Sequence, residues 1–227
     1  MKIQNLNVSF KDIKVYEDFS IDLDNQKITC ILGPSGCGKT TLLNVLANNV
    51  KYTGSVEDLG KIGYVFQNQR LIESINVEEN LKFVLNPDDY SKIDKVLEDL
   101  EIMDLKSKYP GKLSGGQASR VAIARAIVYN PQIILMDEPF KDLDIILTKK
   151  LLELFRNLVI KNNMGAVYVT HNVDEALSIA DRVIVLSKSP ANIMLDLEIN
   201  SDHKDLSSKE LNEARQKIYS ALSWNLI

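Results

Sequence analysis

The sequence predicts an α/β protein with a mixed β-sheet core, an antiparallel β subdomain and an inserted α-helical subdomain. Three observations carry that prediction. Short aliphatic runs recur at Lys27–Leu32, Ile133–Asp137 and Gly165–Thr170, and unbroken apolar runs of this length read as strands buried on both faces of a parallel sheet. Near the N-terminus the pattern instead alternates, with Ile3, Leu6, Val8 and Phe10 followed by Phe19-Ser20-Ile21-Asp22-Leu23, as expected of half-exposed antiparallel neighbours. From Asn68 to Lys112 there is helical spacing and no strand pattern, which suggests a helical insert mounted on the sheet.

Taken in order, the Lys27–Leu32 strand runs into the glycine-rich stretch Gly33–Thr41 and then into Leu42–Ala47, of helical composition. Thr53–Glu57 and Lys61–Phe66 read as short strands. Val77–Val84 is helical until Asn86-Pro87-Asp88-Asp89 breaks it, and Ile93, Val96, Leu97 and Leu100 then recur at helical spacing. Lys106–Lys112, with Pro110-Gly111, is the returning loop. A helix over Gly115–Tyr129 stops before Pro131 and gives way to the strand ending in Asp137; a second helix covers Ile145–Ile160. After the Gly165–Thr170 strand, Asn172 is placed as a helix N-cap with Glu175 completing a capping box. Arg182–Leu186 and Ile193–Ile199 read as closing strands. From Ser207 onward Leu211, Ala214, Ile218 and Leu222 share one face of a tail helix that docks on its own domain. The expected organisation is a single domain over residues 1–227, with the core formed by 1–67 and 113–227 and the helical subdomain by 68–112.

Composition limits the function classes. At 227 residues, 45% hydrophobic and 26% charged, the chain has the make-up of an ordinary globular domain. A net charge of −4 argues against a general nucleic-acid binder, which usually shows a basic surface. No apolar run approaches the ~20 residues of a membrane helix, and Met1–Asn7 lacks the apolar core of a signal peptide, so a cytoplasmic location is expected. Cys30 falls in a buried strand and Cys37 inside the glycine loop; a disulfide between them would jam the loop, so both are expected to be reduced.

Gly33-Pro34-Ser35-Gly36-Cys37-Gly38-Lys39-Thr40-Thr41 matches G-x-x-x-x-G-K-[ST], and its setting between strand and helix is the one the motif requires. The glycines let successive N–H groups turn towards an anion, Lys39 sets a positive charge at the β- and γ-phosphates, and the Thr40 hydroxyl is a ligand for Mg²⁺. A helix starting at Lys39 adds its N-terminal partial charge. The bland alternative, a turn between two core elements, does not account for that order. Nucleotide binding, with ATP and Mg²⁺, is the expectation.

Asp137 ends an aliphatic strand at the edge where open α/β sheets place ligands, and a carboxylate there can hold Mg²⁺ through its water shell. Glu138 follows immediately and reads as the general base for an attacking water; the bland reading is a solvated acidic turn. His171 stands in the same relation to the Gly165–Thr170 strand and reads as a hydrogen-bond sensor of the γ-phosphate. A proton-neutral thiol is not expected at Cys37: Lys39 and the inward N–H groups should favour its thiolate. His203, in a polar stretch, reads as an exposed bystander. Leu113-Ser114-Gly115-Gly116-Gln117 is a second glycine-rich turn opening a helix, hence a second anion site with no phosphate of its own. A symmetric pair of chains, each covering the other's nucleotide, resolves that puzzle.

Leu113–Gln117 resembles the signature motif of the ABC-type ATPases. Phe10, the loop Gly33–Thr41, Gln67 after a strand, Asp137-Glu138-Pro139, Leu143-Asp144 and His171 stand in that family's order along essentially the whole chain. The resemblance implies that Phe10 stacks on adenine, with Tyr16 the competing aromatic. It implies that Gln67 reaches Mg²⁺ and the attacking water, that Ser114, Gly116 and Gln117 meet the γ-phosphate held by the opposite subunit, and that Asp144 lies in the segment joining the two sites. Phe66–Leu71 and Ser189–Ile193 are similar to the ATPases that power importers of nitrate, sulfonate, taurine and related solutes. Members of that subfamily form an ATP-bound homodimer on the inner membrane face, with integral permease subunits and an extracytoplasmic solute-binding protein; residues Leu71–Phe83 would then face the permease.

Three departures from the family pattern stand out. Lys141-Asp142 occupies positions where small residues are usual, Ala118-Ser119 replaces a bulkier polar pair, and an early end to the chain predicts no regulatory C-terminal domain. The rival reading, a soluble ABC-type ATPase acting on nucleic acid or the ribosome, predicts a second ATPase domain, a coiled-coil insertion or basic extensions. A third, a nucleotide-gated module without turnover, predicts loss of Asp137, Glu138 or His171.

Overall fold

The computed structural model describes residues 1–199 and 208–223. The described chain falls into two compact units, Met1–Gly60 with Gly165 onward, and Lys61–Met164.

The first unit contains two sheets. In one, β1 (Lys2–Phe10) pairs antiparallel with β2 (Ile13–Asp22) on one side and with β4 (Thr53–Val56) on the other. Ile3, Leu6 and Val8 of β1 are buried with Phe19 and Ile21 of β2, which is the inward face the alternation predicts. β2 starts earlier than the expected Phe19. A tight turn at Lys11-Asp12 sets Phe10 opposite Ile13, and register slips between Leu6 and Ser9 put the adjacent Val15 and Tyr16 both inside. Such bulges break the period of two on which the reading relied.

In the other sheet, β3 (Ile28–Leu32) lies between β7 (Gly165–Val169) and β8 (Arg182–Leu186), parallel to both, and β9 (Ile193–Glu198) closes the edge antiparallel to β8. β3 and β7 are buried along their whole length, so unbroken apolar runs did mark two-sided burial. α1 (Lys39–Leu46) follows β3, α6 (Val173–Ile179) follows β7, and α7 (Ser208–Ser223) packs on α6, β8 and β9 through Ile218 and Ala221. Arg215 of α7 adds an ion pair to Asp174 at 2.8 Å. His203 lies outside the described residues.

Asn172 caps α6 as expected, its Oδ1 accepting from the N–H groups of Asp174 and Glu175. The reciprocal half of a capping box is not formed. Glu175 accepts instead from the hydroxyls of Tyr168 and Thr170, at 2.9 and 2.7 Å, because both side chains leave β7 beside it. Two hydroxyl donors outcompete one backbone N–H for that carboxylate.

The second unit holds a parallel pair, β5 (Ile62–Val65) and β6 (Ile133–Asp137). α2 (Val77–Lys82), α3 (Lys92–Asp99) and short 3-10 turns follow β5 without a strand; then come α4 (Gly115–Ile127) and, after β6, α5 (Ile145–Lys161). Val77, Leu81, Ile93, Leu97, Leu100 and Leu105 form the buried faces of the insert. α4 approaches β5 closely at Gly63, where a Cβ would sit 2.4 Å from the Ala126 carbonyl. Only glycine fits there.

Candidate active site

In the first unit, the chain leaves β3 at Leu32, turns through Gly33–Gly38 and enters α1 at Lys39. Gly38 has φ 107°, and a Cβ on it would meet Val15 Cγ1 at 2.6 Å, so side chain and backbone both demand glycine. The Gly38 carbonyl accepts from the buried Tyr16 hydroxyl at 2.9 Å and from the N–H of Leu42 at 2.8 Å. The Gly36 carbonyl accepts from Ser189 Oγ at 3.1 Å. Lys39 is nearly buried, and its Nζ donates to the carbonyls of Gly33 and Pro34 at 2.8 and 3.0 Å. The ammonium is thus laid across its own loop, while Ser35, Gly36 and Thr40 remain exposed and Thr41 is half-buried. Tyr16 is spent on this bracing and on the core, whereas Phe10, at the end of β1, is 48% exposed.

Cys37 corrects the sequence expectation. Its side chain is turned inward, 1% exposed, and burial pushes its thiol pKa up, more than the nearby Lys39 charge and backbone donors lower it. The thiol at this position is a small buried hydrophobe rather than a nucleophile. Neither Cys30 nor Cys37 is in a disulfide, and both side chains are buried.

His171 follows β7. The N–H of Thr170 donates to the carbonyl of Ile31 at 3.3 Å, and Ile31 pairs with Val169. His171 therefore leaves its strand at the same sheet edge at which the phosphate loop leaves β3, with its ring exposed.

In the second unit, Val65 pairs with Met136, so Phe66-Gln67 and Asp137-Glu138 leave one edge of the β5–β6 pair together. Asp137 is 6% exposed. The Tyr64 phenol is pushed up in pKa, first by burial and then by the Asp137 charge, an electrostatic sign that the carboxylate lies close by. Glu138 takes a left-handed backbone conformation, φ 44°, where residues other than glycine are uncommon.

The glycine turn in the same unit is a complete capping box. Ser114 Oγ accepts from the Gln117 N–H at 3.3 Å and Gln117 Oε1 accepts from the Ser114 N–H at 3.0 Å. Gly115 is exposed and Gly116 is buried against Leu147 of α5. Asp144 is the N-cap of α5, accepting from the Leu147 N–H at 2.9 Å. Ser114, Gln117 and Asp144 thus carry helix-capping duties in addition to any role towards a nucleotide; Ser114-x-x-Gln117 is the capping-box spacing, a signal the motif reading passed over.

Two further residues escaped the sequence reading. Ser119, one of the unusual pair after the glycine turn, is buried; its hydroxyl donates to the Pro139 carbonyl at 3.4 Å and accepts from Gln69 Nε2 at 3.3 Å, bridging the segments that follow Gln67 and Glu138. Asn80, fully buried in α2, accepts from the N–H of Ile72 and donates to the carbonyls of Ile72, Ile75 and Asn76, so it shapes the Leu71–Asn76 loop. The available signal was a lone amide on the apolar face between Val77 and Leu81.

Among the described residues no cluster of three or more His, Cys, Asp or Glu gathers to cage a metal. Hard oxygen donors are present in Thr40 and Asp137, and sparse oxygen ligation suits Mg²⁺, which keeps several waters and takes substrate phosphates as ligands. Thr40 in the first unit and Asp137 in the second are each, by donor type, residues of the kind that ion takes.

A lysine laid over a glycine loop at a helix N-terminus, together with acidic residues at a strand end, is the equipment of a P-loop ATPase. The chain belongs to the ABC transporter family, whose description it matches over residues 16–141. It is 34% identical over 221 residues to an aliphatic sulfonates import ATP-binding protein of Bacillus cereus, covering 92% of this chain and 88% of that one. A second aliphatic sulfonates import ATP-binding protein, from Pseudomonas syringae pv. tomato, is 38% identical over 194 residues, 84% of each chain. A sulfate/thiosulfate import ATP-binding protein of Escherichia coli K12 is 37% identical over 83% of this chain, which spans only 58% of that protein. Among solved structures, an ABC transporter in an inward-facing conformation is similar with a TM-score of 0.77 and 26% identity, over 95% of this chain and 88% of that one. Family and fold together make this chain an ATP-binding, ATP-hydrolysing subunit.

Proposed function

We propose that the chain energises the import of a small oxyanion of the sulfonate or sulfate kind by hydrolysing ATP in a homodimer bound to membrane permeases. The observation that carries the reading is the braced phosphate loop, with Lys39 Nζ held at 2.8 Å from the Gly33 carbonyl and Tyr16 fixing the loop's last glycine. The import assignment is supported by relatives whose names state import of aliphatic sulfonates and of sulfate or thiosulfate.

In this reading the N–H groups of Gly33, Ser35, Gly36, Cys37, Gly38, Thr40 and Thr41 surround the phosphates, Pro34 shapes the loop without an N–H of its own, and Lys39 turns its charge from the loop carbonyls to the β- and γ-oxygens. Phe10, exposed at the end of β1, stacks on adenine. Mg²⁺, held by Thr40 and Asp137 with Gln67 near it, would supply neutralisation of phosphate charge. Glu138 orients the attacking water and takes its proton, and His171 hydrogen-bonds to the γ-phosphate. The barrier falls mainly through positioning and preorganised charge, as in other phosphoryl transfers. Gly115 and Gly116 meet the partner chain's γ-phosphate with backbone N–H groups, while Ser114 and Gln117, whose own N–H groups are taken by the reciprocal cap, turn the hydroxyl hydrogen and the side-chain amide N–H towards it. Asp144 links the two nucleotides through α5. ATP closes the pair, hydrolysis reopens it, and permeases follow.

Among the described residues no helix is long and apolar enough to cross a membrane, so placement on the inner membrane face is assigned to permease partners, and an extracytoplasmic solute-binding protein to the permease's far side. The test has two parts. The purified chain is assayed for Mg²⁺-dependent ATP hydrolysis, and the tagged chain is isolated from detergent-solubilised membranes. Co-isolation of an integral membrane protein with stimulated hydrolysis is expected; hydrolysis with no membrane partner and binding to nucleic acid or ribosomes would select the soluble alternative.

A further inference from the structure

Glu138 sits on an unusually well-determined turn. Its own φ is 44°, the N–H of Lys141 donates to its carbonyl at 3.2 Å, and Phe140 between them is 2% exposed, anchoring the turn in the core. On that turn Lys141 Nζ lies 3.7 Å from Glu138 Oε2. The two side chains differ in setting: the glutamate is 17% exposed and the lysine 44%. Lys141 also belongs to the Lys141-Asp142 pair that the sequence reading singles out as a departure from the family pattern.

A carboxylate that accepts a proton from water must present a lone pair to that water. An ammonium on the same turn draws one carboxylate oxygen towards itself and away from that duty. Because the lysine end is partly solvated, the pair is weak enough to open, and because the turn is fixed, it reforms readily. We infer that Lys141 is a positioning residue, an ionic latch that holds Glu138 on its own turn in competition with the attacking water and so sets the turnover rate. This rests on the reading of Glu138 as the base. ATP binding, carried by the loop in the other unit, is left alone.

The test compares Lys141→Met, which keeps length and removes charge, with Lys141→Arg and Glu138→Gln in the purified full chain. Steady-state hydrolysis, release of a fluorescent ATP analogue and thermal unfolding are measured for each. Lys141→Met is expected to raise kcat by up to about fivefold, the upper end of what an exposed ion pair is worth, with KM, analogue release and unfolding temperature unchanged. Lys141→Arg restores the cation and brings kcat back down. An unchanged or lower kcat in a folded Lys141→Met overturns the latch, as does an increase that Arg does not reverse. Should Glu138→Gln hydrolyse normally, it is the assignment of the base that falls; should it be dead while Lys141→Met is unremarkable, the base stands and the latch alone fails.

Discussion

The Tyr16 hydroxyl donates to the Gly38 carbonyl at 2.9 Å, so a side chain of the antiparallel sheet holds the last glycine of the phosphate loop. Burial pushes the phenol's pKa up, which keeps it a neutral donor at every working pH. Tyr16→Phe removes the donor and keeps the ring packed. It should cost about 1 kcal/mol of stability and raise KM for ATP more than it lowers kcat. Denaturant unfolding and steady-state kinetics check both; unchanged KM with lowered stability would confine Tyr16 to the core.

Cys37 lies in the loop yet its thiol is buried, with Gly33 packed against the sulfur and Lys39 Nζ 4.0 Å from it. Since the thiolate is the reactive form and burial disfavours it, alkylation by iodoacetamide at neutral pH should be far slower than for the unfolded chain, with or without ATP. Rates followed by mass spectrometry decide this. Rapid, ATP-protected labelling would restore the exposed-thiolate picture. Cys37→Ala should retain most activity, because the loop uses the residue's N–H and not its sulfur.

Asp144 separates a structural duty from a functional one. Its Oδ1 caps α5 through the Leu147 N–H. Asn can make the same bond and Ala cannot, so Asp144→Ala should lose about 1 kcal/mol while Asp144→Asn loses little. If the carboxylate also serves the nucleotide dimer, Asp144→Asn will lower kcat without changing the unfolding temperature. Equal kcat in Asn and wild type would leave Asp144 as a cap alone.

Much of the fold could be read because burial on both faces imposes an unbroken apolar run, as in Ile28–Leu32, Ile133–Asp137 and Gly165–Val169. The start of β2 could not be read, since slips in register put Val15 and Tyr16 inside together and erased the alternation. The positions of Asp137, Gln67 and His171 at strand ends followed from strand assignment plus parallel pairing. What stayed hidden depends on side-chain competition: Glu175 choosing two hydroxyls over a backbone N–H, Ser119 reaching Pro139, and the Cys37 thiol turning inward. Local spacing carries no record of which of several partners wins.

The central claim is that two copies of this chain share two ATP molecules, each held by one chain's lysine loop and the other chain's Ser114–Gln117 turn. Glu138→Gln removes the proposed base and leaves Lys39 and the loop intact, so ATP should bind and persist. The mass of this variant in solution, measured by light scattering with Mg²⁺ and either ATP or ADP, tests the claim directly. A dimer with ATP and a monomer with ADP is the predicted result; a monomer that retains bound ATP would contradict it.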